Sequence, residues 1–254
     1  MARWRVGLRW YAVALLLPVA IAGGAAGLTV LLGAQPRSTA APADGSRLVV
    51  TFLLVLLLPG YGGAWEEPGW RGYGQPSLQA RRPALGASLL LGLLVAGWHL
   101  PLVATGEGGW SELGSILGAT VVIAWVFNST GGSVLLTVLL HATNNTVSGG
   151  LFGRLFAGPD AVTQGWLLSG LWCLVALAVV VVAGPARLSR RELVPRIDPA
   201  PDAPESSGAE PEPVAAPAPG ATNRPGVAGA HATAPPPSER RPWGTKARLA
   251  KSTG

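Results

Sequence analysis

Six stretches of this chain are apolar over a length that can cross a bilayer, and that feature leaves it few folds. A helix through the hydrocarbon core needs about 20 residues at a rise of about 1.5 Å each. In lipid the backbone must satisfy its own hydrogen bonds, so runs of this length read as helices. They cover about Trp10–Gly33, Leu48–Ala64, Ala84–Ala104, Leu113–Phe127, Ser133–Gly150 and Val162–Gly184, the fourth being short and interrupted by glycine. The sequence therefore predicts an all-α fold, a polytopic transmembrane helix bundle of about six spans. Arg3, Arg5 and Arg9 precede the first run as they would in a signal peptide. That run is longer than a signal-peptide core and further spans follow it, so it reads as an uncleaved span.

Composition agrees. Hydrophobic residues make up 49% of the chain and charged residues 13%, and the mean hydropathy is +0.38. The pI near 10.4 would point to nucleic acid in a soluble chain. Here the basic residues flank the spans and populate the tail, so the excess follows the positive-inside rule and no nucleic-acid partner is expected. With the N-terminus inside, inner segments hold Arg3, Arg5, Arg9, Arg71, Arg81, Arg82, Arg187, Arg190 and Arg191, against Arg37, Arg47 and Arg154 outside. Both termini are expected in the cytoplasm of a multi-pass cell-membrane protein. Trp10, Trp65, Trp70, Trp110 and Trp166 fall near span ends, as an aromatic belt places them. The one cysteine, Cys173, excludes an intrachain disulfide. The arginine, alanine, glycine and proline richness suggests a GC-rich bacterial genome.

The chain divides into a transmembrane unit, 1–187, and a tail, 188–254. The tail is rich in Ala, Pro, Gly, Ser and Glu and poor in large apolar residues, so it is expected to be disordered. His231 reads as a solvated tail histidine, and the basic end could touch anionic lipid.

Against this apolar background three polar clusters stand out: Glu66-Glu67 with Arg71, His99, and His141 with Asn145. Ionisable groups in a membrane are costly and mark functional sites by default. Glu67 and Arg71 are four apart in the favourable acid-first order, so Glu67 is expected to pair with Arg71. Glu66 points about 100° away on a helix and is left to face a cavity. A buried, unpaired carboxylate has a raised pKa, as a base for water requires. Pro68 is expected to kink the segment just after the glutamates and to weaken that pairing. His141 and Asn145 are also four apart and share a helix face. Each cluster has a structural alternative: an interfacial acid–base group, a hydrogen-bonded histidine, or polar contacts between helices. Glu, His, His and Asn together are the residue types that hydrolysis uses.

Those residues resemble a known family. Trp65-Glu66-Glu67-Pro68-Gly69-Trp70-Arg71 resembles the Glu-Glu-x-x-x-Arg motif of the CPBP (Abi) family, which contains CAAX prenyl endopeptidases and bacteriocin-processing relatives. Trp98-His99-Leu100-Pro101 is similar to its second motif, with Val95 where that motif has an aromatic, and His141-Ala-Thr-Asn-Asn145 to its third, His-x-x-x-Asn. The resemblance covers about Trp4 to Gly150. It implies an intramembrane endopeptidase, a hydrolase in which Glu66 activates water and Glu67 and Arg71 support it. His99 assists or binds metal, and His141 and Asn145 complete the site, Asn145 as an oxyanion donor. Glu66, His99 and His141 would also suit zinc with an open position, so a metal-bound water and a glutamate-only mechanism both stand. The partners implied are a peptide or membrane-protein substrate and the lipid bilayer. A catalytically silent scaffold or bacteriocin self-immunity protein is the alternative function. Family members usually have about eight spans, so the N-terminus is expected to be short by about two.

Straight helices place Glu66 at one end of its span and His99 toward the other face. Convergence therefore requires either that 69–83 dips into the membrane or that the span boundaries are shifted. The expectation is that Glu66, His99, His141 and Asn145 surround one polar cavity.

Overall fold

The computed structural model describes residues 3–37, 45–61 and 63–190, and among these it is helical with no strand. Four helices are long and apolar enough to cross a membrane: α1 (Leu8–Leu31), α5 (Ala84–Thr105), α6 (Trp110–Ser129) and α8 (Gly158–Ala183). This is a multi-pass membrane protein. Two of the six expected spans differ. The second is represented by α2, Gly45–Leu57, of 13 residues. The fifth is α7, Val134–Asn145, of 12 residues, continued by a π-helical turn over Thr146–Phe152. The fourth is longer than its apolar run, because Trp110 and Glu112 form its first turn and Asn128 and Ser129 its last.

The second crossing is a broken helix. α2 stops where Pro59 and Gly60 interrupt it, and Gly60 and Gly63 turn the chain with φ of +82° and +76°. A 3-10 turn, Ala64–Glu66, leads into α3 (Glu67–Gly69), a π turn (Trp70–Gly74) and α4 (Gln75–Gln79). Pro68 lies in the first turn of α3, where a proline costs no hydrogen bond. The break expected after the glutamates therefore lies before them. Glu67, Arg71 and Gln75, at intervals of four, are all buried. A helix this polar escapes a hydropathy count, yet it is sheltered because the polar face turns into protein.

This broken segment runs from one end of the bundle to the other. Leu48, at the start of α2, lies beside Gly150 in the π turn after α7. At the far end Gln79 and Asn128 form a reciprocal amide pair, with N···O distances of 3.2 and 2.9 Å. Asn128 also donates to the Arg187 carbonyl at 2.8 Å. Gln75 ties the same segment to Ser88 of α5 at 3.1 Å. The span boundary expected at Ala64 is thus shifted, and the glutamates sit part-way along the crossing rather than at its end.

The first described residues and those following α8 meet at that far end. Ser133 donates to the Arg3 carbonyl at 2.6 Å, and Ala84 N–H donates to the Ala186 carbonyl at 2.9 Å. The main core joins α1, α6, α7 and α8 through Ala14, Val122, Leu136, Leu140 and Trp172. α6 and α8 approach closely because Gly118 has no side chain: a Cβ there would stand 2.6 Å from the Trp172 backbone. Small residues permit this in membranes, where packing rather than water expulsion drives helix association. The outer faces carry exposed Leu16, Leu93, Leu94, Leu174, Leu177 and Val181, which suit lipid. Trp110, in the first turn of α6, and Trp166, in the third turn of α8, are both exposed, as a belt requires. Trp10 is not a belt residue: it is buried edge-on against Trp125 at 4.9 Å. Of the tail expected over 188–254, only its first three residues are among those described. There Leu188 is buried in the main core.

Candidate active site

The site forms where the broken crossing meets α7. Glu67 is fully buried, and its Oε1 accepts from Arg71 Nη1 at 3.0 Å and from His141 Nδ1 at 2.8 Å. The i,i+4 pairing expected for Glu67 and Arg71 is present, and the carboxylate also reaches across to α7. Charge-assisted bonds of this length are the strong kind. They lock the imidazole: with Nδ1–H donated to Glu67, His141 presents Nε2 on its other side. His141 is one-fifth exposed, so that edge is reachable.

Glu66 is half-buried rather than buried and unpaired. Its Oε2 accepts from the Trp70 indole N–H at 3.0 Å. Trp70, read from the sequence as a belt residue, is instead a partner of the proposed base. The two residues are four apart on one helical stretch, a spacing that was open to reading.

Gly63 shows where the polar heads converge. A Cβ placed on it would lie 3.6 Å from Glu66 Oε1, 3.6 Å from His141 Nε2 and 3.7 Å from Asn145 Nδ2. Since each atom is that close to one point, no two can be farther apart than twice that distance. Glu66, His141 and Asn145 therefore surround one small space beside a residue without a side chain. Gly63 adopts the left-handed region, which glycine enters at least cost. Sequence reading did not single it out. The available signal was a glycine-rich stretch of sequence, Gly60-Tyr61-Gly62-Gly63, ending three residues before Glu66 in an otherwise apolar run.

His99 is held by its own helix. Its Nδ1 lies 2.9 Å from the Val95 carbonyl, one turn back on α5, and it is not among the three groups nearest that point. Val95, standing in the aromatic position of the motif, is buried in the bundle. The metal reading needs Glu66, His99 and His141 on one ion. Among the described residues no three His, Cys, Asp or Glu side chains stand close enough together to hold one. His141 Nδ1 is committed to Glu67. That bond leaves His141 Nε2 as the ring nitrogen that faces Glu66 Oε1, so two of the three ligands named for zinc converge there.

Two π turns flank the site, one carrying Arg71 and one starting just after Asn145. Such local widening of a helix is frequent at functional positions. The Gln75–Gln79–Asn128 network continues the Glu67–Arg71 face by further steps of four and anchors it to α5, α6 and the residues after α8. Asn128, 3% exposed, is a buried node of that network.

Comparison with known proteins bears on the same stretch. Residues 46–147 match the family model described as type II CAAX prenyl endopeptidase Rce1-like. A protein named CAAX prenyl protease 2, from Methanococcus maripaludis, is 32% identical over 102 residues, which is 35% of this chain and 38% of that protein. The chain thus spans less than two-fifths of the length of that relative. The matched stretch holds Glu66, Glu67, Arg71, His99, His141 and Asn145, and over residues 46–147 the chain is similar to type II CAAX prenyl endopeptidases of the Rce1-like kind.

Proposed function

We propose that this chain is an intramembrane endopeptidase that hydrolyses a peptide bond with water activated by Glu66. The observation that carries the reading is the convergence of Glu66 Oε1, His141 Nε2 and Asn145 Nδ2 around Gly63. A carboxylate, an imidazole and an amide donor within that space are what acyl hydrolysis requires.

Water bound there gives a proton to Glu66 as its oxygen bonds to the substrate carbonyl carbon. The carbonyl becomes an oxyanion, and the Asn145 amide N–H donates to it. Stabilising that charge with a fixed donor is often the largest catalytic contribution. Collapse re-forms the carbonyl, breaks the C–N bond, and returns the proton from Glu66 to the departing amine. Trp70 holds Glu66 in place through Oε2, leaving Oε1 for the water. Glu67 and Arg71 act through His141, fixing which nitrogen meets the substrate. His99 belongs to the set by its motif, and its free Nε2 is the edge that would assist the water. The substrate is a peptide or membrane-protein segment entering from the bilayer. The end of the bundle where Arg3, Arg9, Arg187 and Arg190 gather is proposed to face the cytoplasm.

The test is cleavage by the purified, reconstituted protein. Quenched-fluorescence peptides, with and without a prenylated CAAX end, are offered to wild type, Glu66→Gln and His141→Ala, each with and without chelator. Wild type alone is expected to cleave, and chelator to leave its rate unchanged. Equal cleavage by all three proteins would refute the assignment. Loss with chelator that zinc restores would replace the metal-free mechanism.

A further inference from the structure

A second site, lined by none of the candidate active-site residues, lies where α1 begins and α6 and α8 end. A cavity of about 300 Å³ opens between the start of α1, the end of α6 and the end of α8. Arg9 and Arg190 both line it, and among the described residues no acidic side chain does. Among the described residues the ion pairs are Arg71–Glu67 and His141–Glu67, so neither arginine has a carboxylate partner. Two guanidiniums facing one cavity without a counter-charge call for an anion, and arginine's planar fork matches phosphate oxygens. Both side chains are steered toward their positions. Arg9 lies over the Trp10 ring at 5.5 Å, and Arg190 Nε donates to the Val182 carbonyl at 3.3 Å.

The rest of the lining says which kind of anion. Val13, Trp125 and Val182 make the walls largely apolar. Val182 is also more than half exposed, so the cavity opens onto the outer face of α8, where Leu174, Leu177 and Val181 form an exposed apolar stripe. All three helices have a span end here, which places the cavity at the level where a bilayer turns from hydrocarbon to headgroups. The volume is at the small end of ligand pockets. It holds a phosphodiester and its glycerol, while acyl chains would run outside along α8. Basic pockets between transmembrane helices bind anionic lipid headgroups by this combination of charge and depth.

We propose that this cavity is a binding site for the headgroup of an anionic phospholipid, held by Arg9 and Arg190. The site is independent of the peptidase reading and survives its failure.

The experiment is native mass spectrometry of the full chain released from nanodiscs of phosphatidylcholine alone, or mixed equally with phosphatidylglycerol or cardiolipin. Wild type is expected to retain one anionic lipid at no less than tenfold the occupancy of phosphatidylcholine. Arg9→Gln/Arg190→Gln is expected to fall to the phosphatidylcholine level, and Arg81→Gln/Arg82→Gln to behave as wild type. Arg190→Gln alone, which lies outside every helix, keeps the test readable if the double variant does not fold, and is expected to lose at least half the selectivity. Unchanged retention in the Arg9/Arg190 variants, or equal loss in the Arg81/Arg82 control, would overturn the site. A free-phosphate arm in detergent separates the two phosphate sources. Thermal stabilisation by inorganic phosphate equal to that by phosphatidylglycerol would show a phosphate site rather than a lipid site.

Discussion

Replacing Gly63 with alanine separates backbone strain from intrusion into the site. At φ +76° a residue with a Cβ is strained, by about 1–2 kcal/mol for the left-handed conformation. The added methyl would stand 3.6–3.7 Å from Glu66 Oε1, His141 Nε2 and Asn145 Nδ2. Those are ordinary contact distances, so the frame need not move. What is lost is the space in which water and the substrate carbonyl must meet. Gly60 supplies the matched control: its φ is +82°, and a Cβ there meets nothing within 4 Å. Both variants should therefore lose about 1–2 kcal/mol of stability, read as a similar drop in Tm in the same detergent. Only Gly63→Ala should lose peptidase activity, by tenfold or more in kcat/KM, which corresponds to about 1.4 kcal/mol of transition-state stabilisation. Equal activity loss in the two variants would mean that strain alone matters. Full activity in Gly63→Ala would mean that the reaction does not occur in this space.

Further outcomes follow from the same geometry. Trp70→Phe removes the donor to Glu66 Oε2 and should lower kcat about tenfold with KM little changed, since a hydrogen bond to a charged group contributes about 1.5–3 kcal/mol; an unchanged kcat would remove Trp70 from the account. Arg71→Met leaves the buried Glu67 carboxylate with His141 alone and should destabilise the protein by about 3–5 kcal/mol. Adding Glu67→Gln should recover part of that loss in a denaturation series, and strict additivity would deny the pair. Gly118→Ala forces a methyl against the Trp172 backbone and should cost about 1–3 kcal/mol, as overpacking does, read as a lower Tm and earlier aggregation on size exclusion.

The helical class and the polar set were legible because they rest on local rules. Long apolar runs form helices in lipid, and rare polar residues in them have partners. The Glu67–Arg71 pair followed from a spacing of four. The path of the second crossing was not legible. Hydropathy ends the span at Ala64, whereas the chain crosses onward through Glu67, Arg71, Gln75 and Gln79, whose polarity is sheltered by α5, α6 and α7. Shelter of that kind is a tertiary property, visible only once Gln79 is seen against Asn128. The contact between Glu67 and His141 joins residues 74 positions apart, and no local rule reports it. Trp10 and Trp70 were misplaced for a related reason: an indole near a span end reads the same whether it meets headgroups, a second tryptophan or a glutamate.

The central claim is that Glu66 and Asn145 serve one reaction in one space. The most direct measurement is a double-mutant cycle on the cleavage rate of the reconstituted protein, using Glu66→Gln, Asn145→Ala and the double variant. Groups that act as a unit in one transition state are strongly non-additive. The account predicts that each single variant loses most of the activity and that the double falls little below the worse single. Two losses that simply multiply, or a single variant that cleaves like wild type, would contradict it.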